Sequence, residues 1–146
     1  MKQILSNDII NQYMPTLVKC PLFNTLGEPE LRGYLNNAKV IIHSYKKNDF
    51  IALAGDPMEG IGVILEGSAL LTRENVMGQR VIMANLEQSD IFGEALLFSK
   101  QPLWPATIKA TKATKIMFIP LETFIKTLPD CHQCQTKILS NLLEDL

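Results

Sequence analysis

The apolar positions of this chain fall into two textures. Before Lys39 they recur at helical spacing. Ile10, Met14, Leu17 and Val18 follow the cap-like Ser6-Asn7-Asp8, and Leu31, Tyr34 and Leu35 share one side of a segment with Pro29 in its first turn. Pro15 is expected to interrupt or restart the first helix, because it lacks an N–H and its ring crowds the carbonyl four residues earlier. From Lys39 onward the runs are short and strand-like: 40–45, 50–53, 62–65, 69–72, 81–86, 108–111 and 116–119. Turn signals separate them at Lys46-Lys47-Asn48-Asp49, Gly55-Asp56-Pro57, Glu66-Gly67-Ser68, Met77-Gly78-Gln79 and Gln88-Ser89-Asp90. Many short strands at even spacing predict a β-sandwich or jelly-roll barrel.

The last part of the chain returns to helical spacing. Leu121 to Ile125 predicts a short helix after Pro120, and a second helix begins near Cys131, after Pro129-Asp130. Ile138, Leu139, Leu142, Leu143 and Leu146 form a broad apolar stripe on that helix, with Leu139, Leu142 and Leu146 at coiled-coil spacing. The stripe reaches the last residue with no glycine cap, so the expectation is that the helix continues in a longer protein.

One stretch carries candidate chemistry. Asp90-Ile91-Phe92-Gly93-Glu94-Ala95-Leu96-Leu97-Phe98 predicts a strand, a glycine turn and one helical turn, and Trp104 to Ala110 predicts the returning strand. Free N–H groups at such a turn can face an anionic or polar ligand. A phosphate also calls for a cation, and no arginine occurs from Val81 to Leu146.

Composition narrows the classes. With 146 residues, 47% hydrophobic and 20% charged, the chain suits one globular domain with a core of its own. A net charge of −1 supplies no electrostatic footprint for nucleic acid. No apolar run approaches the roughly 20 residues of a membrane span, and residues 1–5 do not form a signal-peptide core, so a cytoplasmic location with no membrane partner is expected. Three cysteines, an odd number, fit a reducing compartment better than a disulfide framework.

Taken in order, Gly55-Asp56-Pro57, Gly62 to Ala69, Gly78-Gln79-Arg80, Asp90 to Glu94 with Leu97-Phe98, and the terminal leucine-bearing helix resemble the cyclic-nucleotide-binding sensor domain of the Crp/Fnr transcription regulators. The likeness extends over roughly Leu17 to Leu146. It implies a mainly β fold, an eight-stranded double-stranded β-helix or jelly roll with flanking N-terminal helices and a C-terminal dimerisation helix. On this reading residues 1–37 are an N-terminal helical segment, 38–120 the jelly-roll effector domain, and 121–146 the C-terminal helices and the start of the dimerisation helix. The helix-turn-helix domain that follows in the family is absent from this sequence, so DNA would be reached only through such a missing domain. A homodimer is expected through Leu139, Leu142, Leu143 and Leu146.

In the family's cyclic-AMP binders a Gly-Glu pair opens a helical turn and an Arg-Ser pair follows after a fixed loop. Gly93 and Glu94 match the first pair; without gaps, Trp104 and Pro105 occupy the second. Neither can neutralise a phosphate, and Lys100 is out of place in that register. Losing one partner of a buried ion pair costs roughly 2–5 kcal/mol, or about 30-fold to several thousand-fold in affinity. The expectation is therefore a degenerate cassette that does not usefully bind cyclic AMP or cyclic GMP. The candidate pocket for another small-molecule effector consists of Gly93, Glu94, Ala95, Trp104, Pro105 and Ala106. Plainer roles stand beside these: Glu94 capping the helical turn, Trp104 as a lid over the core, and Arg73 and Arg80 on a solvated face of adjacent strands.

Other chemistry finds little footing. An iron–sulfur cluster, used by some family members, needs four thiolates, whereas this chain has Cys20 and the Cys131-His132-Gln133-Cys134 pair. No cofactor and no metal site are expected, and the C-x-x-C pair is read as buried or surface cysteines. With only His43 and His132, and neither a G-x-S-x-G elbow nor a P-loop, no catalytic residue is expected and the chain is read as a non-enzyme. The competing reading is a free-standing ligand or protein interaction module on the same fold, without DNA binding.

Overall fold

The computed structural model describes residues 2–4, 6–94, 99–125, 137–141 and 143. A short strand β1 (Lys2–Ile4) precedes two helices, α1 (Asn7–Leu17) and α2 (Glu28–Asn37). Eight strands follow: β2 (Ile41–Tyr45), β3 (Phe50–Ala52), β4 (Gly60–Glu66), β5 (Ala69–Glu74), β6 (Arg80–Leu86), β7 (Ile91–Phe92), β8 (Thr107–Ala110) and β9 (Thr114–Pro120). A short helix α3 (Glu122–Ile125) comes next, and residues 137–141 are helical again.

The strands form two antiparallel sheets, one in the order β1-β2-β9-β4-β7 and the other in the order β3-β8-β5-β6. The eight strands from β2 to β9 make the expected jelly roll. β1 is a ninth strand that the sequence reading did not anticipate. It pairs Gln3 with Ile42 at the sheet edge, so the segment before Lys39 is not helical throughout.

Pro15 does not interrupt α1, contrary to expectation. The helix runs through it to Leu17, and the Val18 N–H donates to the Met14 carbonyl at 3.0 Å. Proline removes only its own bond here, in the last turn, while buried Met14, Thr16 and Leu17 hold that turn on the core. Ser6 caps the start, its Oγ accepting from the Ile9 N–H at 3.3 Å. In α2 the Glu30 carboxylate accepts from the Gly27 N–H at 3.3 Å, and Leu31, Tyr34 and Leu35 form the buried face.

β4 and β9 are buried on both faces, which is why their apolar runs hardly alternate. Ile61, Val63 and Leu65 of β4, with Met117 and Ile119 of β9, pack against Ile10, Leu17, Phe23 and Tyr34 of the helical layer. From the opposite faces Ile64, Ile116 and Phe118 join Ala52, Ala69, Phe92, Trp104 and Ile108 in a second core between the sheets. Gly62 sits under the Phe92 ring, where any side chain would collide with it. Gly67, at φ 96°, turns β4 into β5 against Thr114, which likewise leaves no room for a Cβ. Gln88 and Ser89 bind α1 to the roll: Gln88 Nε2 donates to Thr16 Oγ1 at 3.0 Å, and Ser89 Oγ to the Thr16 carbonyl at 2.9 Å.

Candidate functional site

The centre of the candidate site is built from the turn after β7 and the segment before β8. Gly93 has φ 93°, and a Cβ there would meet Met58 Cε at 2.8 Å and Trp104 Cζ3 at 3.3 Å. The glycine thus lets the chain turn directly over the indole. Trp104 is buried, with ring centroids 5.7 Å from Phe92, and Phe92 meets Phe118 edge-on at 6.0 Å. Its backbone is clamped to the loop after β3: Trp104 N–H donates to the Asp56 carbonyl and Gly55 N–H to the Trp104 carbonyl, both at 2.8 Å. Met58 N–H donates to the Pro102 carbonyl at 2.9 Å, and Pro57 bridges Leu103.

Of the six predicted pocket residues, the structure brings Gly93 and Trp104 into contact range, leaves Glu94 half-buried at the start of the turn, and buries Ala106. Pro105 is exposed and lines a different groove, of about 540 Å³, together with Phe50, Leu53, Arg73 and Arg80. Ala95 lies outside the described residues. Arg73 and Arg80 do lie on adjacent strands, paired opposite Val81 and Glu74, and both are exposed.

A separate cavity of about 330 Å³ opens between the two sheets beside Trp104. Ala52, Trp104 and Phe118 are its buried residues, Tyr45 is half-buried, and Phe50, Asp56 and Glu59 are exposed. No lysine or arginine lines it. His43 also contributes, its ring 5.6 Å from that of Phe118. The Tyr45 hydroxyl is pushed up to about 12, first by burial and then by the charges of Glu59 and Asp49. Tyr45, Asp56 and Glu59 were not anticipated as site residues: Tyr45 lay in a strand run, Asp56 in a turn signal, and Glu59 between that turn and the next run. Alternation along 41–45 was the available clue, placing Tyr45 on the same face as His43. None of the described residues at 137–141 and 143 lines this cavity.

The C-terminal helical residues divide the predicted stripe. Ile138 is fully buried against the helical layer, and Leu139 packs partly against it. Asn141 Nδ2 donates to the Leu22 carbonyl at 2.9 Å and to Thr25 Oγ1 at 2.8 Å, while Lys137 pairs with Glu30 at 2.9 Å. The Lys137 hydrogen bond, followed by the Gly27 N–H, holds the Glu30 carboxyl below its usual range. Leu143 is 57% exposed. Leu142, Leu146, Cys131, His132 and Cys134 lie outside the described residues. Cys20 is buried, and among the described residues no group of three or more His, Cys, Asp or Glu could hold a metal ion. No described helix is long and apolar enough to cross a membrane.

Two antiparallel sheets, helices on one outer face and a glycine turn seated on the core define a jelly-roll sensor domain. The family described as the cyclic nucleotide-binding domain matches residues 42–130, and the chain belongs to that family. It is related to the Crp/Fnr regulators. It is 31% identical over 106 residues to the cAMP-activated global transcriptional regulator CRP of Pasteurella multocida, covering 70% of this chain and 50% of that protein. The chain therefore spans about half the length of this curated relative. The sensor domain of the transcriptional regulator DNR from Pseudomonas aeruginosa superimposes with a TM-score of 0.75 at 20% identity, covering 94% of this chain and 88% of that one. The Thermus thermophilus catabolite activator protein gives 0.73 at 22% identity, covering 85% and 55%. The regulatory domain of Toxoplasma gondii PKA, crystallised with cAMP, gives 0.70 at 20%, covering 88% and 48%.

Proposed function

We propose that this chain is the effector-sensing and dimerisation domain of a Crp/Fnr-type transcription regulator whose phosphate cassette has degenerated, and that it responds to a small molecule other than cyclic AMP or cyclic GMP. One observation supports the reading: Trp104, which the ungapped register assigns to the cassette's arginine, is an indole buried on Phe92. A cyclic phosphate entering there would meet an aromatic ring in a desolvated setting, and an unpaired buried charge is costly. The related regulators of P. multocida and P. aeruginosa support the regulatory role.

In this mechanism the effector settles beside Trp104 and biases how two copies of the C-terminal helix pack, re-aiming DNA-binding domains attached beyond it. It must bind one packing arrangement better than the other; equal affinity for both would shift nothing. The contacts of Ile138, Asn141 and Lys137 with the helical layer on the roll support this route.

Restoring the cassette tests the assignment. The double variant Trp104→Arg and Pro105→Ser should acquire calorimetrically measurable cyclic-nucleotide binding. No gain in a variant that keeps the native circular dichroism spectrum would overturn the register on which the reading rests.

A further inference from the structure

We propose that the cavity between the sheets beside Trp104 takes an organic cation, an alkylammonium group on a short apolar body. The proposal deepens the reading of a non-nucleotide effector and rests on it. Three features of the cavity point the same way. The volume, about 330 Å³, suits a small molecule. Aromatic rings of Trp104, Phe118 and Tyr45 line it and carry negative π-faces, which attract cations, whereas Phe50 at its rim is exposed and already has Lys109 Nζ 5.5 Å above its ring. The charged groups lining it are carboxylates, Asp56 and Glu59, with no lysine or arginine to neutralise them. An anionic ligand would face two like charges, whereas a cation is drawn by both the rings and the carboxylates.

The walls of this site are fixed before any ligand arrives. Asp56 belongs to the loop whose backbone is hydrogen-bonded to both the N–H and the carbonyl of Trp104, so the Asp56 backbone and the indole share one frame. The electrostatic reach of Glu59 into the cavity is visible at the Tyr45 hydroxyl, whose upward shift it shares with burial.

Trp104 is the single tryptophan of the chain, so its fluorescence reports on the cavity directly. The 146-residue chain is titrated with choline, and with choline's neutral carbon analogue, in which a tert-butyl group replaces the trimethylammonium. Choline should change the emission saturably and bind at least about tenfold more tightly than the neutral analogue. Asp56→Asn with Glu59→Gln should weaken choline by about tenfold or more while leaving the circular dichroism spectrum unchanged. Equal binding of the two probes, or a variant that binds choline as well as the parent, would overturn cation recognition and leave the non-nucleotide reading standing. Silence of both probes would overturn the site itself. The non-nucleotide reading fails separately, on saturable binding of cyclic AMP by the same chain.

Discussion

At the residue scale the structure turns on how Trp104 and Tyr45 are surrounded. Trp104 fills the space between the sheets, which agrees with the plainer expectation of a lid over the core, yet its edge also forms part of a cavity wall. Both roles follow from one placement, which hydrophobic patterning alone could not supply. Tyr45 shows the opposite case. Its strand was legible, but of the two carboxylates that act on it only Asp49 belongs to the adjoining turn, and Glu59 comes from beyond β3. Because its folded value lies near 12, above the ordinary 10.0, the folded chain keeps this proton where the unfolded chain has released it. The stabilisation is full below pH about 10 and is lost as pH rises from there through 12. Phenolate absorbance should show tyrosine titration extending above the ordinary range, with Tyr13 also raised by burial, and Glu59→Gln should bring the Tyr45 midpoint down. A midpoint unmoved by the variant would remove Glu59 from the environment of Tyr45.

At the scale of elements, the helices and the eight roll strands were readable because each carries its own period or turn residues. Two departures have physical causes. Pro15 lies in the last turn of α1, where a lost hydrogen bond is offset by burial of its neighbours. β1 comprises only Lys2–Ile4, too short for any periodicity, and takes its identity from pairing with β2. Within the broad terminal stripe Ile138, which was not assigned to the dimer seam, belongs to the chain's own core, and Leu143, which was, does not. Their substitutions should therefore separate. Ile138→Ala should cost about 2–4 kcal/mol in chemical denaturation through the cavity it leaves. Leu143→Glu should change stability by less than about 0.5 kcal/mol yet shift sedimentation towards monomer. A Leu143→Glu chain that sediments as the parent does would exclude this residue from the proposed dimer seam.

At the scale of the whole molecule, family and architecture were visible in the order of the turn glycines and the strand spacing, and the match over residues 42–130 bears that reading out. The composition of the cavity was not visible, since it joins β2, β3, β9 and the Trp104 segment from two sheets. A fold shared with cAMP-bound domains does not carry their ligand along; the side chains in the cassette and the cavity decide it. The central claim is that these side chains reject a cyclic nucleotide. Isothermal titration of the chain with cyclic AMP tests it most directly. No saturable heat is expected at ligand concentrations up to about 1 mM, whereas a dissociation constant of about 10 μM or tighter would contradict that rejection.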